Sequence, residues 1–555
     1  MIMPHDSFAA TAGHFRWDIP ERYNIGVDIC DRWAALEPDR LAIIDVTPAG
    51  EATHYSYGAL RDLSNRLANA LGERGIGRHL GQDVGDRVGI LLPQRVETAV
   101  SHIAVSKLGG IALPLFTLFG PDALRHRLSD SGAAAVITDA SGLEKLLPLL
   151  PHLPALRLVI SVDGAAGPAE GFAALCAAAS PDFQPIGSHA DDPAILIYTS
   201  GTTGNPKGAL HAHRVLLGHL PGVELSHDFL PQPGDRLWTP ADWAWIGGLL
   251  DVLMPGLHHG VPVVACRFQK FTPQAALDLI AKHAIRNVFL PPTALKMIKG
   301  ADGLDFTGVQ LRSVASGGET LGAELIEWGR RHLGVTINEF YGQTECNMII
   351  SSCAVLEPPL PGTMGRPVPG HIVDIVDDAT GALLPDNAEG AIGVRAPDPV
   401  MFLGYWNNPQ ATSAKFVAGP EHRWLLTGDR GTRDEMGRIR FVGRDDDVIS
   451  SAGYRIGPAE IEDCLLAHEA VHLAGVVGKP DAVRGAVVAA YIVLKPGYAG
   501  SDSLAQDIAL FVKARLAAHE YPRAVRFVAE MPMTTTGKII RATLRQLAAA
   551  EDQNG

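Results

Sequence analysis

The sequence predicts an α/β protein: a large, multi-layered N-terminal domain of mainly parallel sheets and a small α+β C-terminal domain joined to it by a hinge. Three observations carry this. Short apolar runs alternate with helix-period segments through the N-terminal part, the pattern of a layered parallel sheet. The 555 residues exceed what one hydrophobic core holds. The composition then changes at Gly443-Arg444-Asp445-Asp446-Asp447, beyond which a short run of helix, strand, strand and helix forms a unit of domain size. The expected division is residues 1–444, a hinge at 445–447 centred on Asp446, and residues 448–555.

The elements follow in order. Leu60, Leu63, Leu67 and Leu71 keep a helical spacing behind Ser56, a good N-cap residue. Residues 88–92 form an apolar run that ends at Pro93, residues 96–107 read as helix, and residues 111–116 read as strand, a β-α-β succession. Strand-like runs recur at 133–138, 156–162 and 261–265, the last followed by a helical stretch at 275–283. Residues 164–170 read as a surface loop. In the small unit, residues 459–466 and 504–518 read as helices, and 471–477 and 487–494 as strands. There is no internal repeat and no low-complexity tract.

Composition excludes several function classes. The net charge is −14, from 47 basic and 61 acidic residues, which argues against nonspecific nucleic-acid binding. An anionic ligand must therefore meet a local basic site. Six scattered cysteines without a C-x-x-C pair suit a reducing cytosol. The N-terminus lacks an apolar signal core, and Lys107 and Asp251 interrupt the most apolar windows. The expectation is a cytoplasmic protein with no membrane anchor; a homo-oligomer is left open.

The most informative segment runs Thr199, Ser200, Gly201, Thr202, Thr203, Gly204, Asn205, Pro206, Lys207, Gly208, directly after the apolar run 194–198. Glycines let backbone N–H groups turn toward an anion, and hydroxyls and a lysine add donors. It reads as a phosphate cradle. It is not a Walker loop: counting from Gly201, Pro206 stands where the second glycine belongs, and Gly208 follows the lysine. The loop Thr534-Thr535-Thr536-Gly537-Lys538-Ile539 fails the same test.

Four further segments join it. Glu339-Phe340-Tyr341-Gly342-Gln343-Thr344-Glu345 combines an aromatic ring, a hydroxyl and an acid. A carboxylate near phosphates needs a cation between them, which implies Mg²⁺. Thr427-Gly428-Asp429 offers a carboxylate on a glycine turn, suited to ribose hydroxyls. Gly443-Arg444 supplies a guanidinium at the domain boundary, and Gly537-Lys538 an ammonium on a tail segment. Taken singly, each has a plain reading as a turn or a solvated charge.

In this order the segments closely resemble the AMP-forming adenylate superfamily of acyl-CoA synthetases, peptide-synthetase adenylation domains and beetle luciferases. Tyr198 to Gly208 carries its most specific signature, and Tyr341 to Glu345, Thr427 to Asp429, Gly443 to Asp447 and Gly537-Lys538 match the others. Ser451 to Glu460 and Tyr521-Pro522-Arg523 look most like acetyl- and medium-chain acyl-CoA synthetases; Ala452 departs mildly from that pattern.

The resemblance implies that a carboxylate attacks the α-phosphorus of Mg·ATP, giving acyl-AMP and pyrophosphate, and that the thiol of coenzyme A then displaces AMP. It implies that residues 199–207 hold the triphosphate, Thr344 touches the α-phosphate and Glu345 holds Mg²⁺. Glu339 to Gln343, with Gly317, Gly318 and Glu319, would border the adenine. Asp429 would bind the ribose, Arg444 ribose or phosphate, and Lys538 would bridge carboxylate and phosphate oxygens. Rotation about Asp446 would then exchange Lys538 for a face carrying Gly453, with Tyr454, Arg455, Arg484, Lys513 and Arg523 toward coenzyme A.

Gly342 stands where acetate-activating relatives carry tryptophan, so the acyl pocket is expected to run deep, bordered by Trp243 and Trp245. At about 0.8 kcal/mol per buried CH₂, this favours medium-chain acids, with branched or aromatic acids as rivals. Loading of a carrier-protein thiol is the alternative acceptor; no fused carrier domain is expected. Luciferase-like oxidation and a non-catalytic nucleotide sensor fit less well, the latter because Lys538 and Glu345 are both present. His211, His213 and His219 lack a carboxylate or cysteine at ligand spacing and read as hydrogen-bonded histidines rather than a metal site. His258-His259 reads as a turn and Cys346 as a packed small residue.

Overall fold

A computed structural model of the chain describes all residues except 1, 80–83, 200–205, 267, 269–270, 320, 445–446, 448, 452–453, 482–484, 517–519, 535–537 and 551–555. Two large sheets organise the N-terminal part. One has eight strands, and its Arg87–Leu91, Ile111–Pro114, Ala135–Thr138, Leu158–Ser161 and Pro193–Thr199 run parallel. The other has nine, with Leu237–Trp238, Val263–Cys266, Asn287–Phe289, Ser313–Gly317 and Ile337–Gln343 parallel and antiparallel strands at its edges. The apolar runs become these strands because both sheet faces are covered, so no polar alternation is needed.

The expected helices form. Tyr57–Glu73 is capped by Ser56, whose hydroxyl accepts from Ala59 N at 3.3 Å. Val96–Lys107 joins its two parallel strands as expected. The helix expected at 504–518 is Asp502–Lys513, started by the Ser501 cap. Residues 164–170 are not all loop: Ala166 pairs with Ala169, and Glu170 opens a short strand.

A third sheet was not anticipated. Val373–Val376, Gly390–Ala396, Phe416–Ala418, Arg423–Arg433 and Ile439–Arg444 pair antiparallel. It places Thr427 to Asp429 inside a strand rather than on a turn. Beyond it, Val471–Asp481, Gly485–Leu494 and Ala524–Phe527 form a small sheet of their own, covered by Pro458–Leu466 and Asp502–Lys513. No helix among the described residues is long and apolar enough to cross a membrane.

Strand direction positions the site. In parallel sheets, ligands bind beyond the carboxyl ends of the strands. Pro193–Thr199 ends there at the first residue of the cradle, Ser313–Gly317 delivers Gly318 and Glu319, and Ile337–Gln343 delivers Thr344 and Glu345.

Lys107, which interrupts an apolar window, is a buried charge in the large domain. Its side chain is fully buried, with Nζ donating to Ser64 Oγ at 2.9 Å and Asn65 Oδ1 at 2.8 Å. It also forms an ion pair with Asp31 Oδ1 at 2.5 Å, off the ideal hydrogen-bond direction. Asp31→Ala should therefore destabilise the large domain by about 3 kcal/mol, the cost of stranding a buried cation, read as a lower denaturant midpoint of its unfolding transition. An unchanged midpoint would show that the amide and hydroxyl partners suffice.

Candidate active site

The strand ends converge with the third sheet on Asp429. Tyr341 donates its hydroxyl to Asp429 Oδ2 at 2.5 Å, and Gln343 Nε2 donates to the same oxygen at 2.6 Å. Arg444 faces Asp429 directly across the antiparallel pair. Burial pushes the Asp429 carboxyl up, against the downward pull of the Tyr341 bond, Arg444 and Lys415. Burial and Asp429 together hold the Tyr341 phenol well above its ordinary value, so it remains a donor. Oδ1 makes no protein hydrogen bond among the described residues. A carboxylate with one pinned and one open oxygen can accept from a diol. Lys415, which the sequence reading missed, donates to Thr427 O at 3.0 Å and adds a cation.

The second cluster lies at the root of the cradle. Thr199 Oγ1 donates to Lys207 O at 3.4 Å across the returning strand, and Pro206 O contacts His126 Nε2 at 3.0 Å. Tyr198 donates to Asp130 Oδ2 at 2.5 Å below them. The Lys207 ammonium stands 5.3 Å from the Tyr405 ring centroid. The Tyr405 hydroxyl donates to Glu345 Oε1, and Glu345 Oε2 has no protein partner among the described residues. Thr344 sits half-buried in the turn between Gln343 and Glu345. Ser200, Gly201, Thr202, Thr203, Gly204 and Asn205 lie outside the described residues.

A single hard oxygen with an open lone pair fits Mg²⁺, which takes one or two carboxylates and fills its shell with nucleotide oxygens and water. No group of three His, Cys, Asp or Glu that could hold a metal occurs among the described residues.

Lys538 reaches this cleft from the small domain. Its N–H donates to Thr534 Oγ1 at 3.0 Å, and Thr534 N donates back to Lys538 O at 2.7 Å. Nζ lies 6.0 Å from the Trp245 ring centroid. Gly318 takes φ +91°, and a Cβ there would stand 3.3 Å from the indole and 3.9 Å from Lys538 Cε. The residue keeps open surface, yet protein surrounds it. That crowding pulls the ammonium pKa down, against Glu319 and Asp429, with Arg444 adding to the fall. Glu319 in turn accepts from Thr293 Oγ1 at 2.8 Å.

Several expectations change. Glu339 is buried with its carboxyl on Leu321 N, and burial pushes it up to about 8; Phe340 packs on Phe289, ring centroids 5.3 Å apart. Neither side chain faces the cleft; their residues shape the strand, while Tyr341 and Gln343 point to Asp429. Trp243 is fully buried in the core. Gly342 is not an opened wall: a Cβ there would lie 1.6 Å from Asn347 O, because the strand bulges between Tyr341 and Gly342. Backbone approach, rather than acyl depth, requires glycine there. Behind Trp245 the space is filled by Phe289, at 5.6 Å, and then Phe340.

Among the histidines, His213 and His219 are hydrogen-bonded as expected, while His211 and the pair His258-His259 depart from expectation. His211 has no partner on either ring nitrogen, and burial pushes it down to about 3. His213 Nδ1 accepts from Ile25 N, and His219 meets Asp251 at 2.7 Å, a carboxylate supplied by the fold rather than by spacing. His258 and His259 end a helix, paired with Asp28 and Glu224. Cys346 is buried and packed, as expected.

On the small domain, Lys513 and Arg523 flank the Tyr521 ring at 5.1 and 4.9 Å, both exposed. Asp446, Gly453 and Arg484 lie outside the described residues. Tyr454 and Arg455 form the strand Tyr454–Ile456, and their side chains are not described.

Comparison with known proteins places this geometry. Residues 30–406 match the AMP-binding enzyme family, and residues 460–538 match the AMP-binding enzyme C-terminal domain. The chain is 32% identical to the acetyl-coenzyme A synthetase of Bacillus subtilis, over 97% of this chain and 94% of that one. It is 33% identical to the mitochondrial acyl-coenzyme A synthetase ACSM2 of Rattus norvegicus, over 95% and 92%. Among solved structures, it superposes on an anthranilate CoA ligase bound to anthranoyl-AMP with a TM-score of 0.85 at 28% identity, covering 97% of this chain and 99% of that one. A Brucella canis acyl-CoA synthetase gives 0.74 at 32% identity, covering 99% and 100%. A nucleotide-shaped cluster at the strand ends, a lysine delivered from a second domain and full-length similarity lead to one assignment: the chain belongs to the AMP-binding enzyme family, among its acyl-CoA synthetases.

Proposed function

We propose that this enzyme activates a compact apolar or aromatic carboxylic acid, and that its two half-reactions divide between the clusters described above. The reaction is ATP-dependent formation of an acyl-AMP, followed by thioester formation with coenzyme A. In the first half, negative charge gathers around the α-phosphate, so positioned donors and cations supply most of the catalysis. Asp429 accepts from the ribose through its open oxygen, with Arg444 beside it. Residues 199–207, ending in Lys207, grip the departing pyrophosphate. Thr344 donates at the α-phosphate and Glu345 holds Mg²⁺. Bound there, the metal would neutralise triphosphate charge. Lys538 orients the carboxylate against the α-phosphate.

In the second half, rotation about Asp446 withdraws Lys538 and presents Gly453, Tyr454 and Arg455, with Arg484, Lys513 and Arg523 meeting the phosphates of coenzyme A. The exposed cations Lys513 and Arg523 support free coenzyme A over a carrier protein as acceptor.

The observation that carries the acid assignment is the aromatic column. A carboxylate held at Lys538 would meet the Trp245 indole, behind which Phe289 and then Phe340 are packed ring against ring. Of the medium-chain and aromatic acids expected from the sequence, this reading favours the aromatic and compact ones, since a Cβ at Gly342 would meet Asn347 O rather than an acyl chain. The anthranilate CoA ligase and the acetyl-coenzyme A synthetase among the similar proteins act on compact acids.

Pyrophosphate release over a panel of acids should peak at compact or aromatic acids. Trp245→Ala should move the preference toward longer chains, by about fourfold in kcat/KM for each methylene newly accommodated. A wild-type rate that keeps rising into the medium-chain acids would contradict the column as a barrier.

Lys538→Ala should reduce acyl-AMP formation by at least about a thousandfold, while thioester formation from supplied acyl-AMP persists. Equal loss of both halves would remove the assignment.

The pH dependence follows from the same residue. A lysine is charged below its folded pKa and loses that charge as pH rises through it, and here crowding lowers that point. The first half-reaction should therefore decline on the alkaline side earlier than an ordinary lysine would dictate. Lys538→Arg, slower but always charged, should lose that decline; an identical profile would assign the decline to another group.

A further inference from the structure

Residues 402–406 join the two signature segments that the reaction must bring to one ligand. Phe402 N donates to Glu345 O at 2.9 Å, tying this stretch to the end of Ile337–Gln343. Leu403 N then donates to Leu210 O, and Trp406 N to Gly208 O, each at 2.7 Å. Tyr405 stands opposite Ala209 in the antiparallel pair, one side-chain row from Lys207. Its N–H is fixed by Thr412 Oγ1 at 2.8 Å, and its ring is braced edge-on by Phe402 at 5.1 Å. Tyr405 is buried and cannot swing into solvent.

From this place, it touches both partners of the pyrophosphate. Its hydroxyl is the protein donor to the Glu345 carboxylate, and its ring face lies 5.3 Å from the Lys207 ammonium. With its backbone and ring held on both sides, the hydroxyl is aimed at the carboxylate. The bond pins Oε1 and leaves Oε2 facing outward. A cation against the ring face is attracted by the ring quadrupole, which holds Lys207 on the same side.

We propose that Tyr405 is a positioning residue for magnesium and pyrophosphate: it fixes the spacing between the metal-holding carboxylate and the cradle lysine. This rests on the reading that Glu345 holds the metal. Groups that orient a metal ligand through a hydrogen bond typically change metal affinity by about 10–100-fold when removed.

Tyr405→Phe keeps the ring and removes the hydroxyl. Calorimetric titration with ATP, with and without Mg²⁺, should show the wild type gaining affinity from the metal, and the variant losing about tenfold of that gain. The Mg²⁺ needed for half-maximal pyrophosphate release should rise by a similar factor, and saturating Mg²⁺ should restore most of the rate. Tyr405→Leu, which also removes the ring, should not be rescued by Mg²⁺ and should additionally weaken pyrophosphate binding. A merely structural role predicts a lowered melting temperature and a fall in rate that Mg²⁺ leaves untouched; that outcome overturns the proposal. Glu345→Gln separates the two levels. If it abolishes the metal's contribution to ATP affinity while Tyr405→Phe leaves that contribution intact, positioning by Tyr405 is wrong and the metal assignment stands. If Glu345→Gln changes nothing, the metal reading itself fails, and the proposal with it.

Discussion

A chain carrying a net charge of −14 that grips a polyphosphate must place cations where the phosphates lie. Screening confines each charge to about 10 Å in ordinary salt, so the overall field cannot do this work and placement must. Lys207, Lys415, Arg444 and Lys538 are brought to one cleft from segments far apart in the chain. The arrangement of the rest follows. Asp429 is held between Arg444 and two neutral donors, Glu345 is capped by a phenol, and Lys538 faces the indole of Trp245 rather than a direct carboxylate partner.

The parallel sheets make that placement cheap in sequence. Carboxyl-terminal strand ends face one way, so Thr199 and the short segments after Gly317 and Gln343 reach the same cleft without long loops. The third sheet adds Asp429 and Arg444 as direct cross-strand neighbours, locked by the antiparallel register. Lys538 arrives differently. It lies just before the helix Arg541–Ala550, whose first turns are tied to Asp447 by Arg541 at 3.4 Å and by Arg545, while Arg541 also meets Glu462 at 2.6 Å. The lysine is therefore coupled to the segment next to the proposed hinge. A rotation there would carry Lys538 as part of one rigid piece.

The local signals were legible in the sequence. The cradle's glycines, the helix caps at Ser56 and Ser501, and the alternation of apolar runs and helices each depend on neighbouring residues. What escaped were the contacts that the topology alone creates. Tyr405 is 60 positions from Glu345, and Tyr341 is 88 from Asp429. Gly342 misled because its motif position suggested a pocket wall, whereas a strand bulge gave the backbone of Asn347 the space a side chain would need. Trp243 and Trp245 are two residues apart, yet one points into the core and the other into the cleft; the irregular backbone between strand and helix decides which. The antiparallel third sheet was hidden because its glycine-rich strands have weak apolar periodicity. Gly404-Tyr405-Trp406, a glycine followed by two aromatics, was the one signal that could have drawn attention to the brace.

The central claim is that chemistry occurs at the α-phosphate, before coenzyme A takes part. Exchange of labelled pyrophosphate into ATP in the absence of coenzyme A tests it most directly. The account predicts exchange that depends on the carboxylic acid, and release of AMP only when coenzyme A is added. Formation of ADP and phosphate, or pyrophosphate exchange indifferent to the acid, would contradict it.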